Sequence, residues 1–317
     1  MPLPSSKGRR AISPAAAAGT ILIALILVIL SAMFLQYRTV DLMEQSDVTL
    51  KEGVTELDLN IGASRGEVVI GFAPLGGNAV ELTAHVKGTA SYFGDGSVMA
   101  LEVSNTTSDG RLTVSAFFDT YAPWPYYALD EVSCQVLIDS DLPTTLDINV
   151  ATGGATVRTV DGVKLNGLSL DVTNLGATVA LNNGTVLAGD MNIRSATGTN
   201  ALYWNNLTVI GDRTVQMEES SGKMTIKVFQ DIPMEGAVSI VGEDRAGSVE
   251  LTMDIGEEVS AAVEGDSRFG TVNLTNEGGF YHSENALISD NHPAAMRFDV
   301  QLNSTVGDIE AWCRRSA

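Results

Sequence analysis

The chain has 317 residues, of which 44% are hydrophobic and 18% are charged, and its formal net charge is −20 at pH 7. The first 40 residues hold four of the 19 basic residues and none of the acidic ones. The remainder therefore has 15 basic against 39 acidic residues, a formal charge of −24. Such a surface repels nucleic acid and anionic lipid, and nucleic acid is therefore excluded as a partner.

The N-terminal segment predicts a membrane span. Ala15 to Leu35 contains no charged residue, and 21 residues of helix cover about 31 Å, enough to cross a bilayer core. Basic residues precede this run and only Arg38 follows it closely, which places the N-terminus in the cytoplasm and the rest outside the cell membrane. The predicted parts are a cytoplasmic N-terminus (1–14), a transmembrane signal-anchor helix that contacts the lipid bilayer (15–37), a juxtamembrane linker (38–53) and an extracytoplasmic domain (54–317).

A turn glycine recurs through the last two thirds of the chain. Successive members of the series lie about 22–25 residues apart, at Gly154, Gly176, Gly198, Gly222, Gly247 and Gly270. A nearly fixed period in this range is typical of stacked-repeat folds. The last step, from Gly270 to Gly307, is much longer than the others and predicts an insertion through Gly278–His292.

Short alternating runs flank each glycine. Leu146, Ile148 and Val150 precede the first, and Val249, Leu251 and Met253 follow the fifth. Alternation with period two is the pattern of a half-buried strand. The sequence therefore predicts an all-β domain, a β-solenoid or β-helix of stacked rungs of about 22 residues. Its N-terminal part is irregular to about residue 141, and regular rungs fill 142–317. At the first corner Gly153 fits the alternation better than Gly154 does.

Cysteines and histidines do not form a metal or cofactor site in the sequence. Cys134 begins the predicted stack and Cys313 ends it, so a continuous rod separates them far beyond the roughly 7 Å Cα limit of a disulfide. Buried free thiols are the favoured interpretation, and an intermolecular disulfide or a folded-back end is the alternative. The histidines, His85, His282 and His292, are isolated from one another. No cofactor and no metal ion are expected.

One aromatic run stands out from Phe117 to Tyr127. It holds six of the chain's 19 aromatic residues within 11 positions. Two interpretations remain open: a cap over the end of the stack, or a contact patch for a sugar or a protein. The residues that carry both interpretations are Tyr121, Trp124, Tyr126 and Tyr127.

Five Asn-x-Ser/Thr sequons agree with a location outside the cell. The predicted N-glycosylation sites are Asn105, Asn183, Asn206, Asn273 and Asn303.

The region from Glu56 to Trp312 resembles the putative-adhesin, or toast-rack-like, β-solenoid domain family of unknown function. The resemblance is carried by VSCQVLIDSDLPTTLDINVATGGATV (Val132–Val157), LSLDVTNLGATVAL (Leu168–Leu181) and FDVQLNSTVGDIEAW (Phe298–Trp312). It implies an exported, stacked β domain with no known reaction. The frequent Ser-Gly-Asp corner of that family is degenerate here, since only Gly307-Asp308 keeps the Gly-Asp pair.

A second, local resemblance covers GRRAISPAAAAGTILIALILVIL (Gly8–Leu30), which is similar to the N-terminus of archaeal type IV pilin-like proteins. It implies cleavage by a dedicated peptidase near Ala11. The freed helix would then assemble with others in a filament or complex.

Together these observations predict a membrane-anchored, surface-displayed, adhesin-like module that is not an enzyme and that binds a cell-surface protein or glycan. A pilin-like subunit processed near Ala11 is the first alternative. A carbohydrate-active β-helix enzyme is the second, since hydrolysis needs two carboxylates across a cleft. Asp139, Asp141 and Asp147 cluster near one turn and are the candidates for that chemistry.

Overall fold

A computed structural model describes residues 14–34, 37–91, 98–121 and 127–316. One α-helix, α1, covers Pro14–Phe34, and its apolar side chains from Ile21 to Leu30 are exposed. Within the described residues, no helix has both the length and the hydropathy that a membrane span requires. The membrane span expected over 15–37 thus remains a prediction.

The rest of the described chain is built from β-strands, which confirms the all-β prediction. The first twelve are β1 (Tyr37–Thr49), β2 (Glu56–Ala63), β3 (Gly66–Ala73), β4 (Asn78–Ser91), β5 (Met99–Ser108), β6 (Arg111–Thr120), β7 (Tyr127–Asp139), β8 (Thr144–Val150), β9 (Gly153–Arg158), β10 (Lys164–Val172), β11 (Gly176–Leu181) and β12 (Val186–Leu187). The other twelve are β13 (Met191–Ser195), β14 (Gly198–Asn205), β15 (Thr208–Val209), β16 (Arg213–Glu219), β17 (Gly222–Gln230), β18 (Ala237–Ile255), β19 (Ser260–Phe269), β20 (Val272–Gly278), β21 (Phe280–Ser283), β22 (Ala286–Ser289), β23 (Arg297–Val306) and β24 (Ile309–Arg315).

All the strands except β12 and β15 form two long ladders, sheet A and sheet B, while these two-residue strands pair in parallel with each other and β12 also pairs with the start of β10. In sheet A the spatial order is β1-β4-β7-β3-β9-β11-β14-β17-β18-β24-β20. In sheet B it is β5-β6-β2-β8-β10-β13-β16-β18-β23-β19-β22-β21. The long strand β18 serves both sheets, since its first half pairs in sheet B and its second half in sheet A.

The core lies between the inner faces of the two sheets. Alternate residues of each strand are buried, as in β8, where Leu146, Ile148 and Val150 point inward. The Trp204 ring of sheet A meets the Phe298 ring of sheet B edge to face, with 5.5 Å between the ring centroids. Because each rung is only about two strands long, its apolar residues are covered mainly by the neighbouring rungs.

The middle of the stack follows the predicted repeat. Leu168 of β10 pairs with Leu146 of β8 on one side and with Met191 of β13 on the other, all in parallel. The same offset of one period in the sequence continues through β16 and β18. The alternating residues that define the predicted rungs are therefore those that pair in the structure.

The order of rungs at both ends differs from the sequential stack that the repeat predicts. The rung β2–β3, first along the chain, lies between the β6–β7 rung and the β8–β9 rung. The last rung, β23–β24, lies between β18 and the β19–β20 rung, which precedes it in sequence. The expected insertion through 278–292 contains the hairpin β21–β22, whose second strand pairs antiparallel with β19 and covers its edge.

Glycines stack along the edge where each chain segment turns from sheet B into sheet A. Their spatial order is Gly66, Gly153, Gly176, Gly198, Gly222, Gly247, Gly307 and Gly270. The corner between β8 and β9 is at Gly153, with φ +145°, and not at Gly154, which the repeat predicts. The alternation of apolar residues also favours Gly153. A Cβ atom at most of these positions would overlap the backbone of the next corner, so the close stacking requires glycine.

The N-terminal strands extend over the regions for which the sequence predicts a linker and an irregular part. The linker expected over 38–53 is mostly strand β1, which pairs antiparallel with β4 along its length. Among the described side chains of β1, from Arg38 to Thr49, only Val40 and Val48 are buried, so the sequence gives the strand little apolar alternation. The part expected to be irregular, up to residue 141, contains the complete rung β2–β3.

Both cysteines are buried free thiols, as favoured from the sequence. Cys134 lies on β7 and Cys313 on β24, seven strands apart in sheet A, which corresponds to about 34 Å at the usual strand spacing. Burial raises the pKa of Cys134 to about 11 and that of Cys313 to about 12. At neutral pH both side chains are therefore protonated and act as small apolar groups.

Candidate functional site

A groove crosses the outer face of sheet B near its β5 end. It has a volume of about 570 Å³ and is lined by β5, β6, β2 and β8. The alternation of β6 places Leu112, Val114, Ala116 and Phe118 in the core, so Phe117 must point outward. The Phe117 side chain is 46% exposed, which is unusual for a phenylalanine on a strand with a well-buried inner face.

Gly62 makes room for the Phe117 ring. These two residues are direct partners on β2 and β6. A Cβ atom at Gly62 would lie 2.7 Å from Cδ2 of Phe117, so the edge of the ring occupies the space above the glycine. The ring therefore lies low on the sheet and forms part of the groove floor.

Polar side chains surround the ring in two rows along the register. One row runs Glu102, Phe117, Gly62 and Asn149 across the four strands. The other runs Ser104, Ser115, Asn60 and Asp147. Carboxylates, amides and hydroxyls at strand spacing supply several hydrogen-bond donors and acceptors around one apolar surface.

The three candidate catalytic carboxylates do not form a pair across a cleft. Asp139 and Asp141 share one turn, in which the Asp139 carboxylate accepts a hydrogen bond from the Asp141 amide at 3.1 Å. Asp147 lies instead on the exposed face of β8, in the groove. The first two therefore shape a turn, and only Asp147 belongs to the candidate site.

The aromatic run is only partly described. Tyr121 is 66% exposed, and its amide donates to the Val98 carbonyl at 3.2 Å, just after β6. Trp124 and Tyr126 lie outside the described residues, and Tyr127 begins β7 with its side chain outside them. Because most of this run lies outside the described residues, both the cap and the contact patch remain predictions.

The predicted glycosylation sites differ in their surroundings. Four of the asparagines are exposed: Asn105, Asn183, Asn273 and Asn303. Asn206 is half-buried with φ +49°, and its Oδ1 accepts the Asp231 amide at 2.7 Å. Because that side chain already supports a turn, Asn206 is the least suited of the five to carry a glycan.

His85 is an interstrand contact. It lies on β4, and its Nε2 is 2.9 Å from Oδ1 of Asp41 on β1, while Nδ1 is 3.5 Å from Oε1 of Glu131 on β7. The hydrogen bond to Asp41 is the largest cause of a raised pKa for His85, and Glu131 adds to it. The histidine therefore joins three antiparallel strands on the outer face of sheet A.

Phe117 was not among the site residues predicted from the sequence, although the predicted aromatic run begins there. The period-two pattern of β6 was the signal that distinguishes it, since Phe118 is in phase with the core residues and Phe117 is not. Gly62 carried no comparable signal, because its role depends on a strand partner that is distant in the sequence.

Comparisons with known proteins identify distant likenesses only. No protein-family model matches the chain, and no curated protein matches it. Among solved structures, a putative cell adhesion protein from Clostridium sporogenes has 11% identity and a TM-score of 0.41, over 86% of this chain and 100% of that one. A putative adhesin from Bacteroides fragilis has 11% identity and a TM-score of 0.35, over 87% and 97%. A putative adhesin from Parabacteroides merdae has 11% identity and a TM-score of 0.28, over 87% and 96%.

At these identities and TM-scores, the likenesses establish neither a family nor a function for this chain. The resemblance to the putative-adhesin family therefore stays a prediction. The pilin-like cleavage position near Ala11 lies outside the described residues.

Proposed function

We propose that this chain is a membrane-anchored, non-catalytic binding module displayed outside the cell, and that it binds a glycan in the Phe117 groove. The observation that carries the proposal is the exposed ring of Phe117, which lies low in a shallow groove between rows of polar side chains. A protein partner remains the alternative ligand class.

The chemistry of the groove suits a sugar. A pyranose ring has an apolar face of C–H groups that packs on an aromatic ring, and hydroxyls around its rim that need hydrogen-bond partners. Phe117 offers the first surface, and Asn60, Asn149 and Asp147 offer the second. A groove open along the sheet also accepts a chain of sugars without enclosing it.

Attachment to a membrane is supported by the N-terminal sequence. The segment from Ala15 to Leu35 contains no charged residue, and basic residues precede it. The described apolar side chains of α1 are 45% to 69% exposed from Ile21 to Leu30, so the described part of the chain leaves them largely uncovered. Because no described helix meets the requirements of a span, attachment needs its own readout in the experiment.

The experiment uses membranes from cells that express the full chain. After an alkaline carbonate wash, the chain is expected to stay with the membranes, and vesicles that carry it are expected to bind on a glycan array. Phe117→Ala removes the stacking surface, and we expect about a tenfold loss of binding or more, since covering a phenylalanine side chain contributes about 1.5–3 kcal/mol. Phe229→Ala is the matched control, because Phe229 is 42% exposed on the outer face of sheet A.

Three results would contradict the proposal. Release of the chain by carbonate would show that it is not anchored in the membrane. Equal weakening of glycan binding by Phe229→Ala and Phe117→Ala would show that the groove is not the binding site. If the chain binds no glycan but binds a cell-surface protein in a way that depends on Phe117, the ligand of the groove is a protein and not a glycan.

A further inference from the structure

The inward-facing position just before the glycine corner changes its chemistry along sheet B. It is apolar in β8 and β10, where Val150 and Val172 occupy it. In the next four strands it is polar, and the residues pair in register as Ser195, Glu219, Asp244 and Ser304. A run of four polar residues at an inward position of a stacked core is not explained by packing.

These four side chains are buried, and most of their oxygen atoms lack a hydrogen-bond partner among the described residues. Glu219 is 2% exposed, Asp244 3%, and Ser195 and Ser304 6% each. Both carboxylate oxygens of Glu219, Oδ2 of Asp244 and both serine hydroxyls have no well-aligned hydrogen-bond partner within the described chain, although the backbone amides of Asn200 and Lys223 lie close enough to the Glu219 carboxylate to favour its charged form. Leaving a charged group buried without a partner costs several kcal/mol, so the arrangement calls for a partner from outside the described residues.

The four residues also line a cavity that opens outward. It has a volume of about 600 Å³, and its rim carries four further acidic residues and three arginines. With all groups ionised, the six carboxylates exceed the three guanidinium groups by three charges. One of the arginines, Arg194, is already engaged, with its Nε 3.3 Å from Oε2 of Glu218. The cavity therefore favours a cation and gives it a path to the buried oxygens.

We propose that this corner binds one divalent cation of the calcium class between the carboxylates of Glu219 and Asp244, with the hydroxyls of Ser195 and Ser304 holding its water ligands. The inference is independent of the Phe117 groove, which lies on other strands.

Strand geometry permits this coordination. Neighbouring strands are about 4.8 Å apart, and calcium binds oxygens at about 2.4 Å, so one ion fits between two carboxylates on adjacent strands. Glu219 offers both oxygens, as a bidentate ligand does, and Asp244 offers Oδ2, while its Oδ1 accepts the Ala246 amide at 3.3 Å. Each serine is one strand further out and reaches the ion through water.

The described residues contain no group of three or more His, Cys, Asp or Glu side chains arranged to hold a metal ion. The proposed ion therefore has two carboxylate ligands and completes its shell with water from the cavity. Calcium accepts six to eight oxygen ligands in flexible geometry, so such a mixed shell is suitable.

Protonation of the Glu219 and Asp244 carboxylates is the alternative to a bound cation, because it also removes the cost of burying their charges. Burial, together with the charge of Asp244, raises the pKa of Glu219 to about 7, and burial also raises the pKa of Asp244. Because the folded-state pKa of Glu219 exceeds the unfolded value, the metal-free fold loses stability as the pH rises from about 4.5 through about 7. A bound cation would remove that loss by stabilising the ionised form.

The test measures calcium binding by the purified full chain in detergent at pH 7.5, by calorimetry after removal of metal with EDTA. We expect one site whose affinity falls at least tenfold in Glu219→Gln. Glu243→Gln is the matched control, because Glu243 is the exposed neighbour of Asp244 and its change removes the same charge from the same cavity. The control is expected to bind as the wild type does, within about twofold.

Thermal unfolding supplies a second readout that does not depend on Glu219→Gln retaining any binding. In EDTA this variant is expected to melt above the wild type, since it no longer buries a charge. Calcium at 1 mM is expected to raise the melting temperature of the wild type by several degrees and to leave the variant unchanged.

Two outcomes would overturn the inference. The first is no calcium binding, or equal binding by wild type and Glu219→Gln, which would show that any bound ion sits elsewhere on the acidic surface. The second is a wild type whose stability falls between pH 5 and pH 8 by the same amount with and without calcium, which would make the pair a proton site.

Discussion

Replacing Gly307 with alanine is expected to prevent the C-terminal part of the stack from folding. A Cβ atom at Gly307 would overlap the carbonyl oxygen of Gly247 on the adjacent rung, and its φ of +146° disfavours any residue with a side chain. The three nearest atoms all belong to the backbone of Gly247, so no side chain can rotate away to make room. We expect a loss of at least about 3 kcal/mol in the free energy of unfolding, or no soluble folded protein.

The matched control is Gly162→Ala. Gly162 also has a positive φ, +82°, but a Cβ atom there would have nothing within 4 Å. It tests the cost of backbone conformation alone, about 1–2 kcal/mol. Chemical denaturation of the full-length variants, followed by far-UV circular dichroism, provides the comparison. Equal losses at Gly307 and Gly162 would show that the corners are not in close contact.

Replacing Trp204 with alanine is expected to cost about 3–5 kcal/mol in the free energy of unfolding. Trp204 is 2% exposed, fills the space between the sheets and meets Phe298 edge to face. Its Nε1 donates a hydrogen bond to Oε1 of Gln230 at 2.8 Å. Gln230 is itself fully buried, and its amide donates to the carbonyls of Leu207 and Ile232 at 3.0 Å and 2.7 Å.

Two further variants separate the contributions at this position. Trp204→Phe keeps most of the packing and loses the hydrogen bond, and we expect about 1–2 kcal/mol. Tyr203→Ala changes the adjacent outward residue, which is 40% exposed and lies under Lys227 at 5.8 Å from its ring centroid. That change is expected to cost less than about 1 kcal/mol. A loss at Tyr203 as large as that at Trp204 would contradict the assignment of inner and outer faces.

The middle of the fold was predictable from the sequence because its rungs repeat locally. The alternation around Leu146, Leu168 and Met191 identifies both the strands and their register, since a shift by one residue would turn every apolar side chain outward. The corner at Gly153 was predictable for the same reason. These features depend only on residues within one period.

The order of rungs at the ends was not predictable in this way. A period-two pattern states that a strand has one buried face, but it does not state which strand lies beside it. The strand β23 pairs in parallel with both β18 and β19, and nothing in its alternation shows that it lies between them. The strand β1 was missed because it carries exposed acidic residues and, from Arg38 to Thr49, only two of its side chains are buried.

The two candidate sites were hidden from the sequence for different physical reasons. The Phe117 groove depends on Gly62, which is brought beside it by pairing between β2 and β6. Glu219 and Asp244 lie one period apart in the sequence and look like ordinary surface acids in an acidic chain. Only the register of β16 and β18 makes them inward-facing neighbours.

The interleaved order of the last rungs is central to the fold. It determines which corner glycines are in contact, and it makes Asp244 and Ser304 neighbours at the proposed cation site. Cysteine pairs at exposed positions of sheet B test it directly. In the structure Asn303 lies between Glu243 and Asp266, paired in register with each. Adjacent parallel strands bring Cα atoms within the disulfide range, whereas strands two positions apart are about 9.6 Å from each other.

The decisive measurement is the yield of disulfide after mild oxidation of three full-length double variants. Glu243→Cys with Asn303→Cys, and Asn303→Cys with Asp266→Cys, are expected to cross-link almost completely. Glu243→Cys with Asp266→Cys is expected to stay reduced, and the buried native thiols do not compete. Efficient cross-linking of positions 243 and 266, with none between 243 and 303, would mean that the rungs stack in chain order and would contradict the fold described above.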